Sequence, residues 1–251
     1  MKIKIINADS FSTRSMSTVI DNIMIDPSIA VGPKRYGLPP HPIELKAMEE
    51  GKKRIIEELK KVDTVFITHY HYDHVPRPGD PIIDILKTKT VYAKNFVNMN
   101  YSQQQRGKLF YKEVKPILID EYKFDEDIET FTLWHGYKNS KFSKVLAIRI
   151  KDFIFASDSQ CLNIEDMKKI LDYDPKIVFI SGPPTYIKYD PIIEKTLDLL
   201  SNIKTVIIDH HLLRDINYRK YFRDNFITAA EFMGYEIKQL EANRKKLWST
   251  Y

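Results

Sequence analysis

A short apolar run, Val65-Phe66-Ile67, leads directly into Thr68-His69-Tyr70-His71-Tyr72-Asp73-His74. The run reads as a buried strand. The residues beyond it gather three of the chain's seven histidines and a carboxylate. Imidazole and carboxylate are the usual ligands of zinc, iron and manganese. Alternate residues of an extended segment point to the same side, so His69 and His71 can reach one ion together. Asp73 and His74, where the chain turns away, can reach a second ion nearby. Tetrahedral or five-coordinate ions need more donors than these four. The fold must therefore bring further ligands to the same place, as sheet proteins do where several strand ends converge.

The chain offers such ligands at three later strand ends. His135 follows Phe131-Thr132-Leu133, Asp158 follows Phe153–Ala156, and His210-His211 follow Val206-Ile207-Ile208. Taken singly, His135 reads as a core or surface histidine beside Trp134, and Asp158 as a turn cap bonding its own backbone. The recurrence of ligand types just past apolar strands points instead to a shared metal site.

The remaining pattern is that of an α/β chain. Strands are expected at Lys2–Asn7, at the hairpin Thr18–Ile25 with Asp21-Asn22 in its turn, and at Asp63–Thr68, Thr90–Lys94, Ile117–Ile119, Glu129–Leu133, Val145–Ile150, Phe153–Ala156, Ile177–Ile180, Thr205–Ile208 and Tyr235–Leu240. A helix is expected from about Pro42 to Lys61, with Pro42 in its first turn and Gly51 as a point of interruption. Others are expected from Asn163 to Asp172, from Asp190-Pro191 to Leu200, and from about Asp215 to a C-cap near Gly234. Residues 31–42 are an irregular Pro/Gly loop, and the polar, Gln-rich stretch 98–112 takes no assignment. Two strand-rich halves with helices outside imply a layered architecture. No linker, repeat or low-complexity segment interrupts the chain, so residues 1–251 are expected to form a single domain.

Composition narrows the classes further. At 251 residues the chain can bury a large core. No apolar run approaches a membrane span, and no leader peptide is evident, so a cytoplasmic protein with no membrane partner is expected. A lone cysteine, Cys161, excludes an internal disulfide and suits a reducing compartment. The net charge of +5 permits an anionic substrate without requiring one. The basic runs Lys52-Lys53-Arg54 and Arg244-Lys245-Lys246 read as solvated faces. No sequence signal bears on the oligomeric state.

The motif His69-x-His71-x-Asp73-His74 resembles the signature of the metallo-β-lactamase superfamily. His135 in Trp134-His135-Gly136, Asp158 in Ala156-Ser157-Asp158-Ser159, and His210 are similar, in order and rough spacing, to its remaining metal motifs. The loop from Asp26-Pro27 through Gly32-Pro33-Lys34-Arg35-Tyr36-Gly37-Leu38-Pro39-Pro40 resembles that of an uncharacterised archaeal branch of the superfamily. The resemblance implies a four-layer αββα sandwich of two mixed β-sheets. It implies that His69, His71 and His135 hold one metal, that Asp73, His74 and His210 hold a second, and that Asp158 bridges them. His210 is preferred to His211 for its spacing to Arg214, which resembles that of nuclease members. Two divalent ions are implied, zinc foremost, with iron or manganese accepted by the same donors.

The activity then expected is hydrolysis by a metal-activated water, with Asp73 able to take its proton and His211 able to assist the leaving group. A phosphoester, nucleic acid included, is the leading substrate class. Asp158, where true β-lactamases commonly carry a cysteine, argues against that activity. The alternatives are hydrolysis of a thioester or lactone, as in glyoxalase-like members, and a metal-binding scaffold without catalysis. A redox di-iron role would need a flavin domain, for which the chain has no room.

Overall fold

The computed structural model describes residues 1–141 and 143–249. They fall into two compact units, Met1–Ile119 with Tyr235–Tyr251, and Asp120–Gly234. Each unit is built on one mixed β-sheet whose strands lie in sequence order, and each carries its own helices.

In the first unit the strands are β1 (Ile3–Ile5), β2 (Thr18–Ile20), β3 (Ile23–Ile25), β4 (Thr64–Ile67), β5 (Thr90–Lys94) and β6 (Ile117–Ile119). The first three pair antiparallel, and β3 to β6 run parallel. Parallel neighbours need crossovers, which are α1 (Pro42–Leu59), α2 (Pro81–Leu86) and α3 (Tyr101–Val114). Val65 and Ile67 of β4 pack with Ile55 and Leu59 of α1, all fully buried. Burial of side chains of this size contributes about 1.5–3 kcal/mol each. Phe66, on the opposite face of β4, is buried as well.

In the second unit, β7 (Tyr122–Lys123), β8 (Ile128–Trp134), β9 (Lys144–Ile150) and β10 (Phe153–Ser157) form an antiparallel meander. Beyond it, β10 pairs parallel with β11 (Ile177–Ile180), β11 with β12 (Thr205–Ile208), and β12 with β13 (Phe226–Ile227). The crossovers include α4 (Ile164–Leu171) and α5 (Ile192–Leu200), whose Met167, Ile170, Ile193 and Leu197 pack on Ile154, Ala156 and Val178. A short α6 (Ala229–Met233) closes this unit, and α7 (Arg244–Ser249) closes the chain in the first.

Most expected elements form within a residue or two of their sequence positions, and the departures have local causes. Helix α1 runs unbroken through Gly51 because the glycine is needed for contact. A Cβ there would stand 2.4 Å from Ile29 Cδ1 and 2.7 Å from Asn7 Oδ1. The unassigned stretch 98–112 holds α3, capped by Asn100, whose side chain accepts from Gln103 N. The expected helix from Asp215 is instead a pair of 3-10 turns, β13 and α6. Side chains compete there for the backbone: Asp215 Oδ1 accepts from Asn217 N at 2.9 Å, and Asn225 Nδ2 donates to Ile203 O at 2.5 Å. Gly234 does terminate α6 in the left-handed conformation, but Tyr235–Leu240 is not a strand.

Of the run Arg244-Lys245-Lys246 the two lysines are exposed as expected, but Arg244 is not. Arg244 is fully buried, and its Nε and Nη2 donate to Glu44 at 2.8 and 2.7 Å. It also donates to Gly32 O and Leu38 O, tying the Pro/Gly loop to the start of α1. His41 is the buried N-cap of α1, in a capping box with Glu44.

Candidate metal centre

In the first unit the donors follow the C-terminal end of β4, a central strand with parallel neighbours on both sides. Its neighbour β3 is followed directly by Asp26, a buried carboxylate with φ of 50°. Asp26 accepts from Thr68 N on Oδ1 at 2.8 Å, and from Thr68 Oγ1 on Oδ2 at 2.6 Å. His74 Nδ1 lies 2.7 Å from the same Oδ2. Burial pushes the Asp26 carboxyl above its ordinary range, and His74 and Thr68 pull it back.

These bonds decide how the rings are protonated. Thr68 has one hydroxyl proton and gives it to Asp26. Its oxygen, 3.1 Å from His69 Nδ1, must then accept from that nitrogen. His74 Nδ1 likewise donates to Asp26. Both imidazoles therefore carry hydrogen on Nδ1 and present Nε2 as a lone pair, the arrangement that orients metal-ligating histidines. His69 Nε2 lies 3.1 Å from His71 Nδ1. Adjacent ligands on a tetrahedral ion with bonds of ~2.0–2.1 Å stand about 3.3 Å apart, so this pair has the spacing of two ligands of one cation. Asp73 lies half-buried in the turn after His71, and its carboxylate comes within 4.8 Å of the His74 donor atom.

Helix α3 holds this loop from outside. Gln103 Oε1 accepts from Tyr70 N at 3.2 Å, and Arg106 Nη1 donates to Tyr70 O at 3.3 Å. Tyr70 OH donates to Lys94 O at 2.6 Å, at the end of β5.

In the second unit, Asp158 follows β10 where the pairing with β11 slips by one residue and Ser157 takes a φ of 51°. The irregularity re-aims the side chain after the strand. Asp158 Oδ2 lies 3.3 Å from His135 Nε2 and 3.2 Å from His211 Nε2, and Oδ1 lies 3.4 Å from His210 Nε2. These too are ligand-to-ligand spacings. The donor set of each unit thus fits a divalent transition metal.

His210 is held in the left-handed region, φ 55°, with its N–H donating to Asp209 Oδ1 at 2.7 Å. Asp209 Oδ2 accepts from Ala229 N at 3.0 Å, anchoring the end of β12 to the start of α6. Backbone strain of this kind persists only where the surroundings impose it. The buried Arg214 guanidinium lies 3.2 and 3.0 Å from the two ring nitrogens of His210. His211 is lowered to about 3, first by burial and then by the Arg214 charge, although Asp158 opposes both. His211 is therefore neutral at physiological pH.

His135 continues from β8, where Trp134 N donates to Asp166 Oδ2 at 2.7 Å. Gln160 Nε2 lies 3.2 Å from His135 Nδ1 and 3.4 Å from His211 Nε2. Gly136 makes room for this amide, since its φ of 98° favours glycine and a Cβ would stand 3.0 Å from Gln160 Oε1.

His69, His71, Asp73 and His74 thus cluster in one unit, and His135, Asp158, His210 and His211 in the other. Asp26, Asp209, Gln103, Arg106 and Gln160 were not among the residues expected at the site. Asp26 carried a usable signal, a carboxylate just past the apolar run Ile23-Met24-Ile25, the pattern that singled out Asp158. As Asp26-Pro27 it reads more readily as the end of a hairpin.

Residues 14–75 match the family model described as the metallo-β-lactamase superfamily, a match that ends just beyond His74. Over 100% of its length the chain is 34% identical to a UPF0282 protein of Korarchaeum cryptofilum, covering 95% of that relative. It is 33% identical to a UPF0282 protein of Pyrococcus horikoshii, with 98% of this chain and 92% of the relative covered. Among solved structures, a diphosphatase from the PhnP family is similar with a TM-score of 0.52 and 11% identity, over 90% of this chain and 92% of that one. That likeness is one of fold. With its two mixed sheets and flanking helices, the chain has the metallo-β-lactamase fold and belongs to the UPF0282 family within that superfamily.

Proposed function

We propose that the protein is a hydrolase dependent on two divalent ions, most simply zinc, acting on a phosphoester, with nucleic acid among its substrates. The carrying observation is the set of hydrogen bonds that joins His69 through Thr68, and His74 directly, to Asp26, leaving both Nε2 lone pairs for a metal. We take residues 1–251 as one working domain. In it His69, His71 and His135 would hold one ion, Asp73, His74 and His210 would hold the other, and Asp158 would serve both. Iron and manganese suit the same donors. When bound, such ions supply a water with its pKa lowered towards ~7 and positive charge against the developing oxyanion.

The chain's own residues do the rest. Asp73, half-buried in its turn, accepts the proton of the attacking water. His211, neutral and beside the Arg214 charge, stabilises the leaving group by hydrogen bonding. Asp26 and Thr68 fix the tautomers and prevent the rings from turning. The net charge of +5 suits an anionic substrate, and the neighbour of like fold is described as a diphosphatase. No helix among the described residues is long and apolar enough to cross a membrane, and a cytoplasmic setting belongs to this proposal.

The test is metal analysis of the purified protein followed by turnover of bis-p-nitrophenyl phosphate, a thioester, a lactone and a structured RNA. Metal-dependent release of p-nitrophenol is expected. Turnover of the thioester or lactone alone replaces the phosphoester reading with the glyoxalase-like one. Full metal content without turnover of any of them favours a scaffold.

A further inference from the structure

Tyr72 stands between His71 and Asp73, and two arginines stack on its ring. The guanidinium carbon of Arg77 lies 4.1 Å from the ring centroid and that of Arg106 lies 4.4 Å from it. The two cations are therefore no further apart than the sum of those distances, about 8.5 Å. Neither is neutralised by a carboxylate among the described residues. Asp80, three residues from Arg77, is taken by Lys52 at 2.5 Å and caps α2. Arg106 spends one donor on Tyr70 O, and Arg77 makes no side-chain hydrogen bond among the described residues.

The frame beneath this pair is rigid. Ser28 Oγ donates to Tyr72 O at 2.8 Å, and Arg106 stands on α3 one turn beyond Gln103, which holds Tyr70 N. Arg77 is exposed, while Arg106 and Tyr72 are half-buried. Two like charges held close without a counter-charge repel, and a bound anion relieves them. A guanidinium offers phosphate a planar pair of donors, and an aromatic face keeps that plane oriented while leaving its N–H edges open.

We infer that Arg77 and Arg106, stacked on Tyr72, form a subsite for a second, non-reacting phosphate group of the substrate. The inference deepens the phosphoester reading and rests on it for the reacting group. It names the substrate class more narrowly: a molecule with at least two phosphates, one of them held beside the His69–His74 motif. That second phosphate belongs either to a nucleic-acid strand or to a small diphosphate.

The experiment is calorimetric titration of the chelator-treated protein with inorganic pyrophosphate and, separately, with an unstructured oligothymidylate. Chelation removes direct coordination of the probe by metal. The wild type should bind at least one probe. Arg77→Ala and Arg106→Ala should each weaken it about tenfold, the scale of a lost charge-assisted hydrogen bond. Arg106→Lys should recover part of the loss, since it restores charge without the fork. Lys204→Ala, an exposed charge in the other unit, should change affinity less than twofold. Arg77 is exposed and supports no backbone group, so its variant decides the matter if Arg106→Ala does not fold. Arginine-dependent binding of the oligothymidylate assigns the phosphate to a nucleic-acid strand, and of pyrophosphate alone to a small diphosphate. Failure of the wild type to bind either probe, or equal affinities in Arg77→Ala and wild type, overturns the inference. Should these affinities fall as expected while neither bis-p-nitrophenyl phosphate nor the structured RNA is hydrolysed, the phosphoester reading fails and the anion subsite stands.

Discussion

Asp26 Oδ2 lies 2.7 Å from His74 Nδ1, with both side chains fully buried, and the two residues are 48 positions apart in the chain. The same oxygen receives the hydroxyl of Thr68, so a single carboxylate sets the tautomers of His69 and His74. Asp26→Asn puts an amide N–H2 against one of these donors and breaks the arrangement. Metal affinity should fall about 10–100-fold, the usual effect of losing a carboxylate behind a ligating histidine. Competition against a chromophoric chelator measures it, and an unchanged affinity would show that Asp26 does not orient the ligands.

Arg244 and Glu44 form a buried ion pair between the C-terminal segment and the first turn of α1. Removing one partner strands the other charge, at a cost of about 3–5 kcal/mol. Glu44→Gln and Arg244→Met should each lower the unfolding free energy obtained from urea titration by that amount. The double variant Glu44→Leu with Arg244→Met should be more stable than either single one. Additive losses would mean that the pair is not coupled.

Gly51→Ala tests the close approach inside α1. Alanine is favoured over glycine in a helix by about 1 kcal/mol, which by itself predicts stabilisation. The new Cβ would overlap Ile29 Cδ1 and Asn7 Oδ1, and Asn7 is held by Arg54 at 2.6 Å. Overpacking of this kind costs about 1–3 kcal/mol, so net destabilisation is expected. A raised melting temperature would show that Ile29 and Asn7 move aside freely.

Asp166 is buried, accepts from Trp134 N, and is pushed up to about 6 chiefly by that burial. Its folded pKa thus lies above its unfolded value near 3.8. Between those values the folded state holds a proton that the unfolded state has lost, so this group's contribution falls as pH rises from about 4 to about 6 and stays low above. Asp166→Asn keeps an acceptor for Trp134 N and removes the titration. The variant's stability relative to wild type should climb across that window by about 2–3 kcal/mol and then level off. Chemical denaturation at a series of pH values checks it, and a difference independent of pH contradicts it.

His210 and His211 divide one expected role between them. If His210 is the ligand and His211 acts on the leaving group, His210→Ala should hold one metal fewer per chain. His211→Ala should keep both metals and lose turnover, by about 10²–10³-fold, the scale of one lost hydrogen bond to a developing oxyanion. The reverse pattern of metal content assigns the ligand to His211.

The donors were legible because each follows an apolar run whose period marks a buried strand, and that pattern is local. Helix α3 was harder to read because only Gln103, Gly107 and Phe110 are buried, a face too narrow and polar to stand out as periodicity. The segment from Asp215 read as a helix running to a C-cap near Gly234. Tyr218 and Tyr221 are buried from 3-10 turns instead, and side chains of this segment bond to Thr185 and Ile203, residues distant in sequence. Arg244 read as solvated because nothing near it in sequence announces Glu44, 200 positions away.

The sequence by itself determined the chemistry on offer: which residues are metal-ligand types, that they stand at strand ends, and the family they resemble. The tertiary structure decided how those residues are presented. Which nitrogen of His69 and His74 carries hydrogen depends on Asp26 and Thr68, which come together only when β3 and β4 pair in parallel register. Likewise the unneutralised guanidiniums of Arg77 and Arg106 meet at Tyr72 only once α3 has packed against the motif loop. The physical reason is range. Burial patterns repeat every few residues and can be read along the chain, whereas hydrogen bonds and charge pairs join residues that only folding brings together.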